Sequence, residues 1–323
     1  MTTPNRVALI TGCGKPVGIG ASTARFLAAA GITVVVADVA ATGVANEHNV
    51  QGDVDPDWRG IDSLVAAINA AGGQASSTLG DVSQEEDAAR IADLVTANHI
   101  LAAQGIVDGF GHISVRSAKN PAHYFISRSK APALVTADDI MEIDLDDNPI
   151  DARGRSSYLE RFIHSETYKA RPDVISIVHS HSAAVIPFSV SQVPLRPISH
   201  MAGFLVRAVP VFEIRNVGGN ETDMLIRTKE LGAAVAKTLG QGTVVLMRGH
   251  GDVVVGNSIK TAVLHAVYTD LNARLESEAL ELGGPITFLN EAEAAKIGEI
   301  NDQQVERPWD LWKRNATARQ EQQ

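Results

Sequence analysis

Hydrophobic positions along the chain follow two different rhythms. Val7 to Ile10 is an uncharged apolar run, the pattern of a strand buried on both faces. An Ala-rich amphipathic helix through Thr23, Ala24, Phe26 and Leu27 follows, with Gly31 as its stop. Ile32 to Ala37 reads as a second strand ending at Asp38, and a third is expected near Ala75–Leu79. Between them, Ala41 to Arg59 is polar and reads as a flexible connection. Near Gln84 the rhythm changes. Ala88, Ile91, Ala92, Val95, Leu101 and Ala102 recur at helical spacing across Glu85 to Gln104, and Gly105 ends that helix. Short strands are expected around Tyr124–Ser127, Glu142–Asp144, Val174–Val178 and Thr243–Met247. Helices are expected over Tyr158–Ala170, Thr222–Leu239 and Ser258–Leu282, with mixed strand and loop over Pro187–Ile214. The pattern predicts an α/β protein with two segments, residues 1–84 and 85–323.

Composition narrows the function. The net charge of −10 disfavours nucleic acid as a partner, because phosphate-backbone binding needs clustered Lys and Arg. The lone cysteine, Cys13, excludes an internal disulfide and a Cys-based zinc knuckle. No apolar run reaches the roughly 20 residues of a membrane span. The first residues lack the charged-then-apolar order of a secretory signal. A cytoplasmic enzyme of small molecules, associating with its own copies, is the expectation.

The first segment carries a glycine-rich turn, Thr11-Gly12-Cys13-Gly14-Lys15-Pro16-Val17-Gly18-Ile19-Gly20, between strand and helix. Glycines let a backbone approach a pyrophosphate, and a helix N-terminus offers it free N–H groups. An acid at the end of the second strand, here Asp38, can bind ribose hydroxyls. The segment resembles the start of a short-chain dehydrogenase/reductase through Gly12, Gly18, Gly20, Asp38 and Asp81-Val82. Five residues, not three, separate Gly12 from Gly18, and no tyrosine has a lysine four positions later. The resemblance implies a partial Rossmann βαβ segment without its catalytic half. It leaves two readings open: a vestige that packs or assembles, or a retained NAD(P) site.

In the second segment the apolar run Val174–Val178 leads into His179-Ser180-His181. Residues two apart on an extended chain face one side, so the pair can chelate one cation. His250, flanked by Gly249 and Gly251 after the strand Thr243–Met247, is a third candidate ligand.

From about Ala88 onward the chain resembles the class II aldolase/adducin family. The family's glycine loop running into Ser-x-Arg matches Gly111-His112-Ile113-Ser114-Val115-Arg116. Its catalytic glutamate and the following Tyr-x-x-Arg-Pro-Asp match Glu160 and Tyr168-Lys169-Ala170-Arg171-Pro172-Asp173. Its His-x-His and final His-Gly match His179, His181 and His250-Gly251. The resemblance implies α/β/α layers with a central, mostly antiparallel sheet, and a C4-type homotetramer with sites between subunits. It also implies a divalent metal, Zn2+, Mn2+ or Co2+, held by His179, His181 and His250. Glu160 would be the acid/base and a further ligand. Glu166 is the competing carboxylate, and His164 shares the Glu160 face if both lie on one helix.

The chain departs from the sugar-phosphate members at the phosphate cradle. It reads Ser127-Arg128-Ser129-Lys130 on one loop and Tyr158-Leu159 before Glu160, with His112 where an Asn is usual. Arg128 can grip a carboxylate with paired hydrogen bonds and Lys130 adds a point charge. These departures resemble the decarboxylase branch, which implies a hydroxylated aromatic or pyridine dicarboxylate as substrate. Ser127, Arg128, Lys130 and Tyr158 would bind it, and His112 would hydrogen-bond or protonate it. Two enzymatic alternatives stand beside this. One is an aldolase for a non-phosphorylated hydroxy-keto acid, and the other an NAD-dependent oxidoreductase using the first segment. His200, His265, Tyr268, Trp309 and Trp312 read more readily as structural than catalytic.

Overall fold

The computed structural model describes residues 7–16, 18–42, 58–79, 85–150 and 152–321. The chain divides into two units, Met1–Ala89 and Arg90–Gln323.

In the first unit, strands β1 (Val7–Thr11), β2 (Thr33–Asp38) and β3 (Ala75–Leu79) pair in parallel in that order. Helices α1 (Ile19–Ala29) and α2 (Ile61–Ala70) join them. Ala21, Ala24, Val34, Val36, Ile61 and Leu64 form the core. The expectation that β1 is buried on both faces is overturned. It is an edge strand, and Val7 and Leu9 are 65 % and 56 % exposed. Successive right-handed crossovers in one direction put α1 and α2 on the same face of the sheet.

The second unit is built on seven strands. They are β4 (His112–Arg116), β5 (His123–Ser127), β6 (Ile140–Asp144), β7 (Ser176–Ser180), β8 (Val211–Phe212), β9 (Val244–Met247) and β10 (Gly251–Gly256). Their order is β6-β5-β4-β7-β10-β9-β8, antiparallel except for the β8–β9 pair. Eight helices accompany them: α3 (Glu85–Ala103), α4 (Phe162–Ala170), α5 (Ile186–Val190), α6 (Arg215–Gly218), α7 (Lys229–Leu239), α8 (Ile259–Glu281), α9 (Glu291–Asp302) and α10 (Glu306–Gln320). Among the described residues no helix is long and apolar enough to cross a membrane.

The strands are apolar on both faces because alternate side chains enter two separate cores. Val178, Val244, Leu246 and Val254 pack with α3, α8 and the α10 tryptophans Trp309 and Trp312. Ile177, Val245, Met247, Val253 and Val255 pack with Ile163 and Tyr168 of α4 and Leu231 and Val235 of α7. Helix, sheet and helix are thus stacked in three layers.

Two expected helices are shorter at their N-termini. The one expected from Tyr158 begins at Phe162, because residues 159–161 form a turn held by Ile163 N–H to Glu160 O and His164 N–H to Arg161 O. The one expected from Thr222 begins at Lys229, where the Thr228 side chain accepts the Leu231 N–H. Strand β10 lies in a run for which the alternation predicted no element.

Candidate metal centre and substrate face

The sheet brings the candidate residues together at one end of its α4 face. His112, first in β4, lies opposite His179 of β7, and Val253 of β10 lies on the other side of His179. His181 follows the end of β7, and His250 sits in the tight turn joining β9 to β10. Gly249, at φ 63°, opens that turn, and Gly251 closes it, with Ser180 O so near that a Cβ would stand 1.9 Å from it. Glu160 enters from the turn before α4, not from the helix itself.

The Nε2 atoms of His179 and His181 are 3.2 Å apart, and those of His181 and His250 are 3.0 Å apart. Glu160 Oε2 is 3.5 Å from Nε2 of both His179 and His250. All four donor atoms lie within 4.8 Å of one another. The tautomers follow from the acceptors behind the rings. His179 Nδ1–H donates to Asp252 O and His250 Nδ1–H donates to Met224 O, each at 2.9 Å. A carbonyl can only accept, so each of these rings, when neutral, turns an Nε2 lone pair inward. Bare nitrogens turned toward one point favour a cation, and three imidazoles with one carboxylate suit a divalent metal.

Glu160 Oε1 accepts the Ile226 N–H at 2.8 Å, which leaves Oε2 to face the histidines. Burial opposes its ionisation, but where His179 and His250 carry a proton on Nε2 as well, they outweigh burial and hold the carboxyl well below the usual carboxylate range. Burial and the facing imidazoles push His181 down to about 4. Glu166 is elsewhere: it pairs with Lys169 at 2.9 Å.

On the candidate substrate face Tyr158 stands 4.4 Å from His112, ring centre to ring centre. Its hydroxyl donates to Lys130 O at 2.6 Å and lies 2.9 Å from Ser127 Oγ. The two loop cations are not free, as the sequence reading supposed. Asp139, buried, takes Arg128 Nε at 2.6 Å on one oxygen and Lys130 Nζ at 2.7 Å on the other. Asp139 was missed because an acid nine to eleven residues from its partners leaves no periodic signal. The backbone partners Asp252 O, Met224 O and Ile226 N are equally invisible in sequence. His200 is exposed. His265 bonds Val255 O and Asp302, and Tyr268 lies 6.0 Å from Trp312, so neither reaches the centre.

In the first unit, Gly18 is the N-cap of α1, and Gly20 packs against Thr11 O, which a Cβ would approach to 2.4 Å. Gly12 has φ 69°. Asp38 accepts the Gly14 and Val39 N–H groups on its two oxygens, and Trp58 Nε1–H donates to Gly14 O. Asp81 lies outside the described residues.

Residues 92–276, more than half of the chain, match the class II aldolase and adducin N-terminal domain. The chain belongs to the class II aldolase and adducin family. It is 37 % identical over 246 residues to the decarboxylase tropJ of Talaromyces stipitatus, covering 69 % of this chain and 92 % of that one. It is 30 % identical over 222 residues to the 3,4-dihydroxyphthalate decarboxylase of Arthrobacter keyseri, covering 64 % and 85 % of the two chains. The solved L-fuculose 1-phosphate aldolase of Glaciozyma antarctica shares the fold, with a TM-score of 0.61, 24 % identity and coverage of 73 % and 92 %. The family match lies wholly within the second unit.

Proposed function

We propose that the protein is a divalent-metal-dependent decarboxylase of a hydroxylated aromatic dicarboxylate, of which 3,4-dihydroxyphthalate is the first candidate. The observation that carries this reading is the 37 % identity to a decarboxylase across 92 % of its length. The four-donor cluster of Glu160, His179, His181 and His250 fits the same chemistry. A divalent cation bound there, Zn2+ or Mn2+, supplies Lewis-acid electron withdrawal from an ortho-hydroxy carboxylate.

The chain's own residues do the rest. Breaking the carbon–carbon bond leaves its electron pair on the ring carbon, which takes one proton in exchange for CO2. Glu160, ionised and anchored through Oε1, orients a water with Oε2 toward that carbon. Arg128, Lys130 and Asp139 together carry one net positive charge, which matches the one carboxylate the product keeps. Ser127 and Tyr158 shape the same wall. Catalysis belongs to the segment 85–323 in this reading, and a homotetramer is part of it.

The test measures CO2 from 3,4-dihydroxyphthalate with Mn2+, with Zn2+ and after chelation, alongside metal content and mass in solution. Activity should require metal and fall at least about 100-fold in Glu160→Gln, the scale for losing a group that moves or orients a proton. Metal-loaded protein that releases no CO2 but forms pyruvate from a hydroxy-keto acid would sink the decarboxylase reading in favour of aldol cleavage.

A further inference from the structure

Behind His112 runs a buried chain of hydrogen bonds that neither the metal centre nor the substrate loop uses. His112 Nδ1 is 2.6 Å from His164 Nε2. His164 Nδ1 is 2.6 Å from Ser114 Oγ, and Ser114 Oγ is 2.8 Å from the Tyr168 hydroxyl. His164 and Ser114 are fully buried, and His112 keeps 3 % of its surface open. The His112 ring lies 5.0 Å from that of His179, a candidate metal ligand. Among the described residues, His112 Nε2 has no hydrogen-bond partner in the protein.

Each link has a single proton to share, so the chain can run in only two directions. In one, Tyr168 donates to Ser114, Ser114 to His164 Nδ1, and His164 Nε2–H to His112 Nδ1, which leaves the His112 proton on Nε2. In the other, every bond reverses and Tyr168 must donate to Ile175 O. That last contact is 3.3 Å long, and Ile175 O already accepts the Arg116 N–H at 2.7 Å. In the first direction Tyr168 donates over the 2.8 Å contact instead, every link is bonded, and the one donor left over is the His112 Nε2–H. Both rings are buried, which disfavours charge on either, and the 2.6 Å contact between them needs one bare nitrogen.

We infer that His164, held by Ser114 and Tyr168, is a positioning residue that fixes His112 as the Nε2–H tautomer, aiming one hydrogen-bond donor at a substrate oxygen beside the metal centre. The role in turnover rests on the decarboxylase reading, whereas the tautomer does not. An Nε2–H donor stabilises oxygen on which negative charge builds as CO2 departs. A bare Nε2 would repel the same oxygen.

The experiment uses the full-length, Zn2+-loaded protein with 15N-labelled histidine. The His112 signals should show a protonated Nε2 and a bare Nδ1. His164→Ala and Ser114→Ala should both convert them to a mixture of tautomers without loss of bound zinc. In turnover of 3,4-dihydroxyphthalate, kcat should fall about 10–100-fold in both, the usual effect of removing the partner that orients a working group. KM should stay within about threefold. His164→Gln keeps an amide N–H near the position of the lost Nε2–H, so it should restore the tautomer and most of kcat. A purely structural role predicts equal losses in His164→Ala and His164→Gln, and that result overturns the inference. So does a wild-type His112 protonated on Nδ1. If the wild type fails to turn over, the decarboxylase reading falls alone, and the nitrogen signals still decide the tautomer.

Discussion

Glu276 is fully buried on α8, with one oxygen accepting the Arg196 N–H and the other without a partner. Burial pushes its carboxyl up to about 7 against the pull of Arg196. The folded chain therefore binds a proton there that the unfolded chain releases near the ordinary carboxyl value. Stability from this group is fully present at acid pH and is lost as pH rises toward about 7. Glu276→Gln removes the charge, keeps an acceptor for Arg196 N–H, and should raise Tm by roughly 2–4 °C at pH 8. At pH 4.5 and below the gain should vanish, so thermal melts at the two pH values check the sign. The same scale separates what sequence could say about the candidate site. His179, His181, His250 and Glu160 stand out by spacing and flanking glycines, because ligand chemistry restricts residue type. Asp139 does not, because any acid at any distance along the chain can fold back to pair with Arg128 and Lys130.

Elements decide how tightly those residues are held. Gly251 begins β10 where β10 crosses the end of β7, with no room for a Cβ between it and Ser180 O. Gly251→Ala must push the β9–β10 turn away from β7, and with it His250 away from His181. Metal affinity, read by competition with a chelating dye, should fall about 10–100-fold while far-UV circular dichroism is unchanged. Unaltered affinity would mean that the turn absorbs the methyl elsewhere. Helix α4 shows the limit of periodicity at this scale. Tyr158 and Glu160 continue its amphipathic pattern, yet they lie outside it, because Tyr158 is tied to Lys130 O and Glu160 to Ile226 N–H. A helical Glu160 would share a face with His164. The turn instead sends the Glu160 carboxylate to the candidate metal histidines, while His164 goes to His112. Strand β10 escaped notice because its six residues start and end in glycine, which reads as a loop until β7 and β9 flank it.

For the whole molecule, the family match, the two large cores and the four-donor cluster all lie in the second unit. A chain of residues 85–323 should fold, bind one equivalent of divalent metal, and release CO2 within about twofold of the full-length rate, since the family match and the donor cluster lie within the second unit. Titration calorimetry and the CO2 assay check both halves, and an insoluble or metal-free product would show that the first unit is needed. By itself the sequence determined most of the element types, the two-part rhythm and the candidate ligand set. Those depend on local hydrogen bonding, on side-chain periodicity and on which atoms can bind a cation. Tertiary structure alone decided the edge position of β1, the pairing of the loop cations with Asp139 and the hydrogen-bonded chain behind His112. It also decided the meeting of residues 160, 179, 181 and 250. Each is a contact between groups far apart along the chain, set by strand order and register, to which a local pattern is blind.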